Sequence, residues 1–132
     1  MLIYIDLEHD RLQQQPELWE KSLARRLKVK YRLEELSGQP CLIVRYYRVN
    51  PALLHELNVR AVVVSGCHTD FEHYSDDSLA GLRAIYLEAA QPLLGFCAGM
   101  QLLAQAYGAE LGPLGRCRSS SRTPTATVLA RG

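Results

Sequence analysis

The sequence predicts an α/β fold built on a doubly wound, mostly parallel sheet. Three observations carry that expectation. Four short, β-rich apolar runs recur along the chain: residues 2–7 (LIYIDL), 41–46 (CLIVRY), 61–65 (AVVVS) and 92–96 (PLLGF). Helical segments follow each of them, so the order reads β-α-β-α-β-α-β-α, the pattern of right-handed crossovers between parallel strands. The third run is apolar throughout rather than alternating, as in a strand covered on both faces.

Each element has a local cause. The first strand starts flush with Leu2. Pro16 suits the first turn of a long helix in which Trp19, Leu23, Leu27 and Tyr31 recur at helical spacing. Gly38 and Pro40 stop that helix before the second strand. Residues 51–57 (PALLHEL) form a short helix, again opened by a proline. After the third strand a polar loop runs over residues 66–75 (GCHTDFEHYS). Asp76 is placed to cap the next helix, whose buried stripe is Leu79, Leu82 and Tyr86. The fourth strand leads into a helix from Ala98 to Tyr107, ended by Gly108. In sheets of this kind, sites gather at the carboxyl ends of strands. Two loops lie there: residues 66–75 and the turn at Cys97.

The chain has 132 residues, enough for one domain with one core. Its 48% hydrophobic and 22% charged residues are those of a globular protein, and its net charge of +1 points to neither nucleic acid nor an anionic membrane as a partner. Residues 113–132 carry four of the 15 basic residues (Arg116, Arg118, Arg122, Arg131) and no acid, which leaves 11 bases against 14 acids in residues 1–112. That asymmetry divides the chain into an α/β domain, residues 1–112, and a basic tail, residues 113–132. The tail has no sustained period and reads as disordered or out of frame. No signal peptide is expected, because the apolar stretch Leu2–Ile5 meets Asp6 and Glu8 at once and no cationic segment precedes it. No apolar run approaches the roughly 20 residues of a membrane helix. The four cysteines (Cys41, Cys67, Cys97, Cys117) form no CxxC pair. The expected location is cytoplasmic, with reduced thiols.

The segment that carries chemistry is Gly95-Phe96-Cys97-Ala98-Gly99-Met100-Gln101. Its kernel, G-x-C-x-G between a strand and a helix, is the thiol version of a nucleophile elbow. Gly95 and Gly99 flank the turn because side chains there would collide across it. The helix that starts after Cys97 places its positive dipole end on the sulfur, which favours thiolate. The Ala98 N–H points to where a tetrahedral oxyanion would form. A bare G-x-C-x-G favours a small buried cysteine in a tight turn; the wider match, PLLGFCAGMQLLA in strand–turn–helix context, reverses that in favour of the nucleophile.

With its Gln101, this segment resembles the G-x-C-x-G-x-Q signature of class I (triad-type) glutamine amidotransferases. Ser65-Gly66 resembles the start of that family's S-G-G-P oxyanion loop. The resemblance covers about residues 1–112, the first part of a family domain, and implies a flavodoxin-like sheet. It implies glutamine as substrate, no cofactor and no metal. Cys97 would attack the side-chain amide carbon to form a thioester and release ammonia to a synthase domain or subunit. The N–H groups of Ala98, Cys67 and Gly66 would form the oxyanion hole, and Gln101 would contact the substrate.

Two departures stand out. Cys67 and His68 replace the loop's second Gly and its Pro. After Cys97 the chain has no His and no Asp, and its only Glu is Glu110, so the family's downstream His-x-Glu pair is missing. The expectation is a truncated or frameshifted copy, inactive on its own. His68 and His73 lie in the facing loop and are read as solvated bystanders rather than as a substitute base. Cys67, His68, Asp70 and His73 have zinc-type ligands at a spacing that fits no common site. A Cys67–Cys97 disulfide is disfavoured by the reducing location. Cys41 reads as core, and His9 and His55 as surface residues. The alternatives are a γ-glutamyl hydrolase-type enzyme on the same scaffold and a non-catalytic interaction domain.

Overall fold

The structure, a computed structural model, describes residues 1–113. The tail from residue 114 and its Cys117 lie outside the described residues. In chain order the elements are β1 (Leu2–Asp6), α1 (Pro16–Ser37), β2 (Cys41–Arg45), α2 (Pro51–Glu56), β3 (Ala61–Val64), α3 (Asp76–Glu88), β4 (Leu93–Gly95) and α4 (Ala98–Ala106). Short 3-10 turns occupy Asp10–Gln14, Tyr46–Arg48 and Phe71–His73.

The four strands form one sheet in the order β2-β1-β3-β4, parallel at every described pairing. This is the α/β, flavodoxin-like arrangement that the alternation of runs predicts. Ile3, Ile5 and Leu7, with Val62 and Val64, face one side and pack with Leu54 of α2, Leu79, Leu82 and Ile85 of α3, and Leu102 and Leu103 of α4. Burying an aliphatic side chain of this kind contributes roughly 1.5–3 kcal/mol. The opposite face, with Tyr4, Cys41 and Val63, is smaller and is covered by Val29 and Leu33 of α1. Helices therefore lie on both faces, as parallel strands require.

The helix expected from the spacing of Trp19, Leu23, Leu27 and Tyr31 is present as α1, but it does not bury that stripe: Leu23 and Leu27 are 44% exposed and Tyr31 59%. The buried residues are Ser22 and Arg26, on the face continued by Val29 and Leu33. The reason is electrostatic. The Arg26 guanidinium is drawn to buried Asp6 at the end of β1 and donates to Ser22 as well, and this fixes the rotation of the helix. In α3 the cap is Ser75, not Asp76; the Ser75 hydroxyl accepts the Ser78 N–H at 3.2 Å. Asp76 occupies the first turn instead, where its charge favours the positive end of the dipole.

Candidate active site

Cys97 sits between the end of β4 and the start of α4, in a backbone conformation of φ 50°, ψ −112°. A positive φ is strained for a residue with a Cβ. Hydrogen bonds hold it there. Phe96 N–H donates to Val64 O at 3.0 Å, Gly99 N–H to Phe96 O at 2.9 Å and Gln101 N–H to Cys97 O at 3.0 Å. The flanking glycines are required by contact. A Cβ on Gly95 would stand 2.7 Å from the Gly99 carbonyl carbon and 2.7 Å from Met100 N; one on Gly99 would stand 2.8 Å from Val64 O. Strand and helix are thus pressed together across the turn, and the sulfur is left exposed.

The loop after β3 comes up against this turn. A Cβ on Gly66 would lie 3.2 Å from Cys97 Cβ and 4.0 Å from its Sγ. Among the described residues, the backbone N–H groups of Gly66, Cys67 and Ala98 find no acceptor. Gln101 is exposed in the first turns of α4. A cleft of about 260 Å³ is lined by Tyr4, Arg25, Arg26, Ser65, Gly66, Cys67, His68 and Cys97. Sulfur and loop therefore share one space at the carboxyl edge of the sheet.

Of the loop's two histidines only His68 lines the Cys97 cleft, with its Nδ1 3.0 Å from Glu8 Oε2. His68 also borders a second cleft, where His73 lies with Arg11 and Asp70, its Nε2 3.6 Å from Glu72 and its Nδ1 3.4 Å from Arg11. Cys67 donates its thiol proton to Thr69 O at 3.3 Å, and burial pushes its thiol above the ordinary value. Cys41, Cys67 and Cys97 are free, and Cys41 is core. His55 is exposed, whereas His9 is more than a surface residue. Its ring accepts the Arg11 N–H and meets Tyr74 edge-on at 5.1 Å.

Glu8, just beyond β1, is the residue that sequence reasoning missed. It is 0% exposed and receives the loop after β3. Its Oε2 accepts His68 N–H at 2.8 Å, and its Oε1 accepts Thr69 N–H at 3.3 Å and the Thr69 hydroxyl at 3.0 Å. His9 N–H adds a third backbone donor at 3.1 Å. Burial alone would raise its pKa, but the bonds from His68, Thr69 and His9 outweigh burial and hold it below the usual carboxylate value. Asp6 accepts the Glu8 N–H at 3.0 Å and pairs with Arg26, whose Nη2 is 3.9 Å from Glu8. The Ser65 hydroxyl accepts Leu7 N–H at 2.9 Å and donates to Gly66 O at 2.9 Å. The available signal was an acid at the carboxyl end of a parallel strand, where polar groups are placed for use.

A cysteine on a positive-φ turn at the carboxyl end of a parallel strand, with a helix starting behind it, has the geometry of the thiol nucleophile elbow in α/β proteins. The family model described as glutamine amidotransferase class-I matches residues 27–127. The chain belongs to that family. The matched span begins inside α1 and runs past residue 112. No curated protein matches the chain. Among the described residues, no helix is long and apolar enough to cross a membrane.

Proposed function

We propose that this chain carries the nucleophile half of a glutaminase site. The carrying observation is the exposed Cys97 on its strained turn, with Gly66 so near that a Cβ there would stand 3.2 Å from Cys97 Cβ, and the N–H groups of Gly66, Cys67 and Ala98 unpaired among the described residues. On this reading Cys97 Sγ bonds to the glutamine side-chain amide carbon. The three N–H groups donate hydrogen bonds to the oxygen as negative charge develops on it. Collapse of the intermediate breaks the C–N bond, leaves a γ-glutamyl thioester and releases ammonia once the nitrogen is protonated. Gln101, exposed beside the turn, contacts the substrate. Residues 1–112 form the amidotransferase unit, a cytoplasmic module whose ammonia passes to a synthase domain or subunit.

Among these 132 residues no His or Asp follows Cys97, and the one Glu that does, Glu110, is exposed, so the family's His-x-Glu pair is not among them. The chain by itself is therefore expected to bind and react with glutamine-like electrophiles without sustained turnover. The experiment pairs two measurements. A γ-chloroketone analogue of glutamine should label Cys97, with glutamine protecting it, and glutamate release should stay at the level of Cys97→Ser. Labelling that glutamine does not slow refutes the glutamine site. Turnover that disappears in both Cys97→Ser and His68→Gln refutes inactivity and gives the base role to His68.

A further inference from the structure

The fully buried Glu8 carboxylate accepts three hydrogen bonds from the 68–69 backbone and the Thr69 hydroxyl, and a further one from His9 N–H. Glu8 lies just beyond the carboxyl end of β1, which neighbours β3 in the sheet, and its two oxygens divide the loop between them. Oε2 takes the His68 N–H, and Oε1 takes the Thr69 N–H and hydroxyl, all within 2.8–3.3 Å. The Cys67 N–H is the backbone donor immediately before this clamp. The family's usual Gly-Pro is replaced here by Cys67-His68, which removes the rigidity a proline ring would bring to the loop. A buried acceptor just past the end of the neighbouring strand supplies that rigidity from outside. Arg26 reaches the same carboxylate at 3.9 Å and pairs with Asp6, which accepts the Glu8 backbone N–H.

We propose that Glu8 is a positioning residue for the oxyanion hole: its carboxylate sets the 67–69 backbone so that the Cys67 N–H faces the Cys97 cleft. Thr69 is the second member of this clamp. Neither side chain is asked to touch substrate; both act through the loop. The inference rests on the reading of Cys97 as an acyl-accepting nucleophile, and it deepens that reading.

The test separates oxyanion stabilisation from thiol reactivity on the same sulfur. 4-Nitrophenyl acetate acylates a thiolate through a tetrahedral oxyanion: an S–C bond forms, the ester C–O bond breaks and 4-nitrophenolate leaves, while the thiol proton goes to solvent. Iodoacetamide alkylates the same thiolate by displacing iodide, with no oxyanion. Both rates are measured at Cys97 in the full chain by peptide mass spectrometry, and their ratio is compared with that of free cysteine. In the wild type the ratio should exceed that of free cysteine by at least about tenfold; losing one oxyanion donor typically costs on the order of 10²–10³-fold. Glu8→Gln should return the ratio most of the way to free cysteine, and Thr69→Val should lower it by roughly threefold or more, with alkylation changed less than twofold in each.

Thr69→Val keeps the answer available if Glu8→Gln fails to fold, because Thr69 lies in a partly exposed loop. Acylation and alkylation falling together, or neither changing, overturns the positioning role while leaving the nucleophile intact. A wild-type ratio equal to that of free cysteine defeats the functional reading itself, and the proposal with it.

Discussion

Gly95→Ala tests the elbow where its geometry is tightest. The new Cβ would lie 2.7 Å from the Gly99 carbonyl carbon and from Met100 N, where ordinary contact begins at 3.4 Å. Both neighbours are backbone, so no flexible side chain can give way. Relief requires the first turn of α4 to withdraw from β4 by about 0.7 Å. Overpacking of this kind costs about 1–3 kcal/mol, which at this chain length lowers the melting temperature by roughly 3–15 °C. Because Cys97 is carried by the same turn, its sulfur moves with the helix, and a misplacement near 1 Å costs on the order of 10²-fold in a reaction that depends on alignment. The assays are urea unfolding and acylation of Cys97 by 4-nitrophenyl acetate. Gly112→Ala is the control, since a Cβ there meets nothing within 4 Å; it should stay within about 0.5 kcal/mol of wild type. If Gly95→Ala matches that control in both assays, the close approach of strand and helix is not what holds the elbow.

Three further predictions follow from the buried charges and the thiols. Arg26→Met leaves the buried carboxylates of Asp6 and Glu8 without their guanidinium and should cost about 3–5 kcal/mol in denaturant unfolding; a loss under about 1 kcal/mol contradicts the buried network. Glu8 has a folded-state pKa below its ordinary value of 4.5, so its stabilising contribution is complete above that pH and drains away as pH falls through the lower folded value. Urea midpoints should therefore drop in acid more steeply in wild type than in Glu8→Gln, and equal slopes would count against the clamp. Iodoacetamide near neutral pH should modify exposed Cys97 before Cys67 and Cys41, whose thiols burial raises; peptide mapping that finds Cys67 first would show that the loop does not pack as described.

Much of this protein could be read from residue order alone. Strand and helix periods are local properties, so the four apolar runs, the proline starts of α1 and α2 and the Gly38 stop were legible, and their alternation implied a parallel sheet. The turn at Cys97 was legible for a similar reason: two glycines around one cysteine between a strand and a helix leave few backbone paths. The rotation of α1 and the role of Glu8 were not. Leu23, Leu27 and Tyr31 have the spacing of an inward face, but hydrophobic spacing says nothing about a carboxylate waiting on another element. Arg26 and Asp6 are 20 residues apart, and Glu8 and Thr69 are 61 apart. Those partners meet only when β1 and β3 lie side by side and α1 packs across them. Burial then makes an unpaired charge so costly that the ion pairs, not the apolar stripe, decide which way the helix faces and where the loop beside Cys97 is held.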